Sequence, residues 1–463
     1  LSAKNLRRRR LTVVLSALVA VACAGAAYAL GPARGAGSDP PASTVAAGVL
    51  SPRRAPKVLQ TLVAETRLAS RVQAIMRSLS PTSCIVVRAD ESTLLSVKPN
   101  QLLTPASALK LTTAAAFLEK LGGTERFETS VAHRETDSSG TVTFLSLVGD
   151  GDPLLATQGY VETRKHPPIP FTDFTQLARK IRNAGVRHVT DGIVVADDRF
   201  DAERRVPSWS AGYTATGDVG PIGALAVNDG FSAFTPRLVA ATDPAIAAGE
   251  QLRRELTALG VVVDGAVRRG TRDARSIDVV SIASAPFAEV VGEMLRESDN
   301  NTAESLLKYL PGGATAATRA EGVAERAVLL KRLGIDPKGV QAIDGSGLDR
   351  SDRASCAALI GTLTTKPGGY DLEDMLAVAG RTGTLDDRFT TSPLAGRLRA
   401  KTGSLTGVTA LVGIADPKAT TKLRFAFVSN GAFSDEGGKA LQDRLVAALA
   451  TFPEAPDASE MAP

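Results

Sequence analysis

Thr104-Pro105-Ala106-Ser107-Ala108-Leu109-Lys110 places a serine and a lysine three positions apart, and the chain is organised around this stretch. Pro105 suits a first helical turn, because it has no N–H to leave unpaired, and Thr104 is placed to cap that turn. Leu111, Ala114, Ala115, Leu118 and Leu121 then recur at helical spacing until Gly122-Gly123 ends the run. Positions i and i+3 share a face, so the Ser107 hydroxyl and the Lys110 amine are expected side by side. A helix start also offers outward N–H groups and a dipole that favours developing negative charge. On its own S-x-x-K is a weak signal, since most such tetrapeptides are ordinary helix surface.

Two later stretches change its weight: Ser298-Asp299-Asn300 and Lys401-Thr402-Gly403. A serine hydroxyl is a poor nucleophile until a base takes its proton. The three histidines, His133, His166 and His188, have no convincing G-x-S-x-G beside them, so a Ser-His-Asp arrangement lacks parts. Lys110 can serve if it is neutral, which asks its pKa to fall by roughly 3 units, about 4 kcal/mol, through burial and a nearby cation. Lys401 is the expected cation. Ser298, between two helical patterns, is placed to relay a proton to a leaving amine, and Asn300 offers an amide to a substrate carbonyl. Lys401 and Thr402 are expected to bind a terminal carboxylate. Gly403 is read as letting a substrate chain approach the strand closely. The N–H groups of Ser107 and Ser404 are the candidate oxyanion hole, often worth about 3 kcal/mol per donor. Taken singly, Ser298-Asp299-Asn300 reads as a capping loop and Lys401-Thr402-Gly403 as a strand with a turn. A phosphate loop needs Gly before the lysine, where Ala400 stands. No HExxH pattern occurs, and no metal or cofactor is expected.

The three motifs in this order resemble the class C low-molecular-mass penicillin-binding proteins, the D-alanyl-D-alanine carboxypeptidase/endopeptidase family, over most of residues 57–455. Gly149-Asp150-Gly151-Asp152-Pro153, Asp344-Gly345-Ser346-Gly347-Leu348, and Gly383-Thr384-Leu385 ahead of Lys401 extend the resemblance. So does the 191-position step from Ser107 to Ser298, where β-lactamases have a much shorter gap. The resemblance implies an α/β fold of the penicillin-recognising, β-lactamase-like kind, a central antiparallel sheet flanked by helices. It implies a catalytic domain from 57–122 and 284–455, with a large, mostly β inserted region at 123–283. It further implies a serine DD-peptidase that cleaves peptidoglycan stem peptides through an acyl-enzyme and takes β-lactams as inhibitors. Asp152 and Arg350 are implied to lie near a pocket for the third peptide residue. A β-lactamase or esterase on the same fold, or a non-catalytic envelope scaffold, are the alternatives. The first lacks a clear extra acid for deacylation, and the second is at odds with intact motifs.

Outward from the motifs, the composition is globular, 44% hydrophobic and 22% charged. Arg7-Arg8-Arg9-Arg10 followed by the uncharged run from Leu11 to Ala33 reads as an export signal over residues 1–30, with Ala27-Tyr28-Ala29 as its exit. At about 20 apolar residues it would also serve as a retained membrane anchor. Those thirty residues hold five cations and no acid, so the net charge of +5 belongs to them, and nothing points to nucleic acid. Residues 31–56, rich in Gly, Pro, Ala and Ser, read as a tether, and 456–463 as a tail. Cys23 lies in the signal and fits a lipoprotein site only loosely. Cys84 and Cys356 remain, with their pairing open.

Helical patterns are expected at 58–79, 174–184, 245–259, 287–295, 302–310, 354–363 and 439–450. Strands are expected at 83–87, 93–97, 141–148, 192–196, 261–267, 398–405, 408–415 and 423–429. Thr406-Gly407 is the expected hairpin turn between two of them.

Overall fold

Apolar residues alternate along Ser83–Ala89 so that Cys84 and Val86 face one way and Ile85 and Val87 the other, and each side finds its own helical layer. The computed structural model describes residues 57–454 apart from 91, 135, 167–168, 314–315 and 418–421. The export segment, the tether and the tail lie outside the described residues.

In chain order the elements are α1 (Lys57–Arg77), β1 (Ser83–Ala89), β2 (Ser92–Val97) and α2 (Lys110–Leu121). Next come β3 (Glu128–His133), β4 (Leu145–Val148), α3 (Thr175–Asn183), β5 (Ile193–Ala196), α4 (Pro244–Ala258), β6 (Val267–Arg269) and β7 (Ile277–Ala283). The chain continues through α5 (Phe287–Glu297), α6 (Asn300–Tyr309), α7 (Arg319–Arg332) and α8 (Cys356–Thr364). It closes with β8 (Ala377–Val378), β9 (Leu398–Leu405), β10 (Val408–Ala415), β11 (Leu423–Asn430) and α9 (Asp435–Ala450).

The main sheet is six-stranded and antiparallel throughout, in the order β8-β9-β10-β11-β1-β2. Its central strand β10 is buried along its whole length, as a strand covered on both faces must be. On one face, Val86, Ala410, Val412, Ala426 and Val428 meet α2, α5, α6, α7 and α8. On the other, Ile85, Val87, Leu411, Phe425 and Phe427 meet α1 and α9. A disulfide between Cys84 and Cys356 ties β1 to the start of α8 within the first layer. The expected β9–β10 hairpin is present with Thr406-Gly407 as its turn and Gly407 at φ 72.

Residues 128–283 carry a second, mixed sheet in the order β6-β5-β4-β3-β7, with α3 and α4 packed on it through Leu177, Ile181, Ala248 and Leu252. Two expected strands break in two here. Thr141–Val142 and Val262–Val263 flank His188–Val189 in a small parallel sheet, while β4 and β6 flank β5 in the larger one. The break at Gly265 has a local cause, since its φ is 71 and a Cβ there would sit 2.9 Å from the Asp191 carbonyl carbon. Helix α7 was not expected from its pattern, although Thr318 and Glu321 form a reciprocal capping box at its start.

Candidate active site

Ser107 stands in a 3₁₀ turn, Ala106–Leu109, that leads directly into α2. Thr104 does not cap this turn, which corrects the expectation. Ala106 is left-handed, at φ 48, and breaks the helical path between Thr104 and Ser107. The Thr104 hydroxyl is engaged elsewhere, accepting from Arg353 Nη1 at 2.9 Å and donating to the Arg350 carbonyl at 3.3 Å, while its N–H donates to Asn430 Oδ1 at 2.9 Å. The turn is seated between two distant glycines. A Cβ on Gly347 would lie 2.0 Å from Ala106 O, and one on Gly403 would lie 2.7 Å from Pro105 O. The Pro105–Leu109 turn of the same chain thus packs on Gly403 and by itself calls for glycine there, a requirement that the sequence reading did not foresee.

Lys110 is fully buried, and its Nζ donates to Ser107 Oγ at 3.0 Å, Asn300 Oδ1 at 2.6 Å and the Ser346 carbonyl at 2.8 Å. Burial lowers its pKa to about 8, against the pull of Asp344, Glu304 and Asp299. Lys401, on the same face of the sheet, donates to Ser298 Oγ at 2.9 Å and to the Thr402 carbonyl at 2.9 Å. It too is held well below the ordinary lysine range, first by burial and then by the Lys110 ammonium, with Glu297 opposing. Desolvation, one of the two expected causes, is thus what depresses Lys110, while the Lys401 cation is not among the causes of the shift.

The two lysines bring Ser107, Asn300 and Ser298 together from the three motifs. Ser298 ends α5 in a left-handed conformation, φ 63, and Asp299 caps α6 by accepting from Thr302 N–H at 2.9 Å. The Asn300 amide is engaged at both ends, since its Nδ2 donates to the Asp218 carbonyl at 2.7 Å. Ala379 N–H donates to the Leu398 carbonyl at 2.9 Å, which fixes the side of β9 to which Leu398, Ala400, Thr402 and Ser404 present their backbone groups. Pairing with β8 stops at Ala400, so the Ser404 N–H and the Thr402 carbonyl lie on an edge without a strand partner among the described residues. Thr402 Oγ1 bonds Thr384 Oγ1 at 3.1 Å across that edge.

The carboxyl groups around Lys110 were not singled out from the sequence. Glu304 Oε1 accepts from the N–H groups of Gly345 and Ser346, at 3.0 and 2.8 Å, and so presents the Ser346 carbonyl to Lys110. Asp344 accepts from Gly347 N–H at 2.7 Å and from Trp209 Nε1 at 2.9 Å. The buried Arg326 donates to the Asp344 carbonyl at 2.7 Å. Ser346 is fully buried and cannot meet a substrate. Arg350 is exposed and donates to the Thr406 carbonyl at 2.8 Å, at the tip of the β9–β10 hairpin. Asp152 is 4% exposed and accepts from Leu154 N–H at 2.9 Å, so its carboxyl is enclosed.

A family model described as D-Ala-D-Ala carboxypeptidase 3 (S13) matches residues 66–236 and 232–452. A carboxypeptidase of Mycobacterium tuberculosis is 32% identical over 342 residues, 71% of this chain and 72% of the relative. The D-alanyl-D-alanine carboxypeptidase of Actinomadura sp. (strain R39) is 28% identical over 484 residues, 86% of this chain and 87% of the relative. Among solved structures, penicillin-binding protein 4 (dacB) from Haemophilus influenzae superimposes with a TM-score of 0.69 at 19% identity, covering 82% of this chain and 98% of that one. That similarity carries the fold, and the sequence matches carry the family: this chain belongs to the D-Ala-D-Ala carboxypeptidase 3 (S13) family.

Proposed function

We propose that the chain is a serine DD-peptidase acting on peptidoglycan stem peptides, with Ser107 as the acylated nucleophile. The observation that carries this is the 3.0 Å bond between Lys110 Nζ and Ser107 Oγ, made by a lysine whose burial brings its pKa to about 8. Once Lys110 has lost a proton it accepts that of Ser107, and Oγ attacks the carbonyl carbon of the D-alanyl bond. The resulting oxyanion is met by the N–H groups of Ser107 and Ser404. The C–N bond then breaks, the proton that Lys110 took passes through Ser298 Oγ to the leaving amine, and an ester on Ser107 remains beside a neutral Lys110. Water, activated by Lys110, hydrolyses the ester and restores the hydroxyl.

The peptide backbone is read as lying along the open edge of β9, with its terminal carboxylate at Lys401 and Thr402. That carboxylate favours the charged form of Lys401, and the new charge bears on Lys110 and drives it toward the neutral base. A β-lactam carbonyl enters by the same attack. Arg350, at the hairpin tip, is assigned to the far side of the substrate; Asp152 is given no part in binding. Export through residues 1–30 fits the Cys84–Cys356 disulfide, which belongs to an oxidising compartment.

The test is labelling by a fluorescent penicillin, followed by product analysis on purified muropeptides. The expected result is an adduct on Ser107, its loss in Ser107→Ala, and release of D-alanine or scission of D-alanyl cross-links. A wild type that neither labels nor cleaves would sink the reading.

A further inference from the structure

Arg164 belongs to the inserted region, just after the short helix Gln158–Val161, and its N–H donates to the Val161 carbonyl at 3.0 Å. Its side chain, 24% exposed, reaches the loop between α5 and α6. Nη2 donates to Asp299 Oδ2 at 2.6 Å, while Nη1 donates to Asp229 Oδ2 at 2.7 Å. Glu293 on α5 stands 3.7 Å from the same Nη2, and neither of its buried oxygens has a hydrogen-bond partner. One guanidinium therefore faces three carboxyls. At 3.7 Å Glu293 stands outside hydrogen-bond reach, and burial raises its pKa well above the ordinary carboxylate range, so the fork goes to the other two. Burial also opposes the Asp299 carboxylate, but Arg164 and the Thr302 N–H outweigh it and hold its pKa low.

Strained backbone lies on both sides of this fork. Asn228 and Asp229 are consecutive left-handed residues, at φ 57 and 54, and Ser298 is left-handed at φ 63. L-residues persist in that region only where their surroundings over-determine them. Thr157 N–H fixes Asn228 Oδ1 at 2.8 Å, Tyr160 OH donates to Asp229 Oδ2 at 2.7 Å, and Asn301 Nδ2 donates to the Asp229 carbonyl at 3.3 Å. The Asp229 turn is thus anchored by Thr157 and Tyr160 within the inserted region and by Asn301 on α6, and Arg164 hands its position on to the Ser298–Asn300 loop.

We propose that Arg164 and Asp229 are positioning residues for the peptidase reaction: they hold Asp299, and through it Ser298 and Asn300, where Lys401 and Lys110 need them. The inference rests on the reading of Ser107 as the nucleophile. A loosened loop lengthens the 2.9 Å Lys401–Ser298 bond and the 2.6 Å Lys110–Asn300 bond. The strand edge that takes the peptide is left as it was. The loss therefore falls on the chemical step rather than on reversible binding.

Stopped-flow acylation by a fluorescent penicillin separates the two constants in the full chain. Arg164→Met is expected to lower the acylation rate constant roughly ten- to hundredfold while the reversible binding constant stays within about threefold. Arg164→Lys keeps the charge without the fork and should fall between. Arg199→Met is the comparison. Arg199 is another arginine of the inserted region that reaches α6, pairing with Asp150 at 2.9 Å and lying 3.8 Å over the Tyr309 ring, without touching the loop. It should change thermal stability and leave the acylation rate constant at the wild-type value. A wild-type rate constant in Arg164→Met, or an equal loss in Arg199→Met, overturns the proposal. Should Arg164→Met fail to fold, Arg164→Lys decides: a wild-type rate constant refutes positioning, and a lowered one with unchanged binding supports it. A wild type that does not acylate overturns the underlying reading as well.

Discussion

Lys110 Nζ stands 3.0 Å from Ser107 Oγ and at the same time satisfies Asn300 Oδ1 and the Ser346 carbonyl. A buried ammonium needs such partners to exist at all, and each of them also steadies the amine once its proton is gone. The amine proposed as the base is thereby fixed in place before any substrate arrives.

Acylation by penicillin is expected to rise with pH through a limb near 8, the value to which burial brings Lys110. The sign follows from the role, because a general base works only when deprotonated. Lys401→Met removes the amine at little change in length. As desolvation dominates at Lys110, the limb of the free enzyme should stay near 8 while binding of carboxylate-bearing substrates weakens. A limb displaced by a full unit in that variant would return the Lys401 cation to the leading role. The measurement is the pH dependence of the acylation rate.

Gly403→Ala puts a Cβ 2.7 Å from Pro105 O and 3.0 Å from the Ala410 Cβ. Neither neighbour is a flexible side-chain end, so the nucleophile turn must move. A loss of stability of about 1–3 kcal/mol is expected, together with acylation slowed by more than that loss explains. Urea unfolding and acylation of the same preparation check both.

Asp152→Asn tests a buried acid. Burial raises the Asp152 pKa from the ordinary 3.8 to about 6. Below 3.8 both folded and unfolded chains hold the proton; between 3.8 and 6 only the folded chain does, so rising pH costs the wild type stability across that window. Asn cannot ionise. The variant should gain on the wild type as pH rises from 3.8 to 6, toward a ceiling of about 3 kcal/mol, and the gap should then stay constant. Melting temperatures across pH 3.5–8 check it, with roughly unchanged acylation.

Reduction of Cys84–Cys356, or Cys84→Ala with Cys356→Ala, is expected to lower stability by about 2–4 kcal/mol. The acylation rate of the fraction that stays folded should be retained, because the bond ties β1 to α8 and touches none of the three motifs. Denaturant curves with and without reductant give the answer.

The sequence by itself determined the elements whose signal is local. The spacing of Ser107 and Lys110, the strands Leu398–Leu405 and Val408–Ala415, and the Thr406-Gly407 turn all need only nearest neighbours to be read, and they stand where they were expected. The three motifs, by their order, also carried the family.

Only the tertiary structure decided what lies between distant segments. Whether the Thr104 hydroxyl caps a helix depends on Arg353, and why residues 347 and 403 must be glycine depends on the turn at Pro105–Ala106. The partners of Lys110 come from positions 300 and 346, and the clamp on Asp299 comes from 164 and 229. The single apolar runs at 141–148 and 261–267 split because each half pairs with a different sheet. A side chain's propensity is a property of its own few bonds. Burial, pairing and a shifted pKa are properties of what folding brings within about 4 Å, and no local pattern records that.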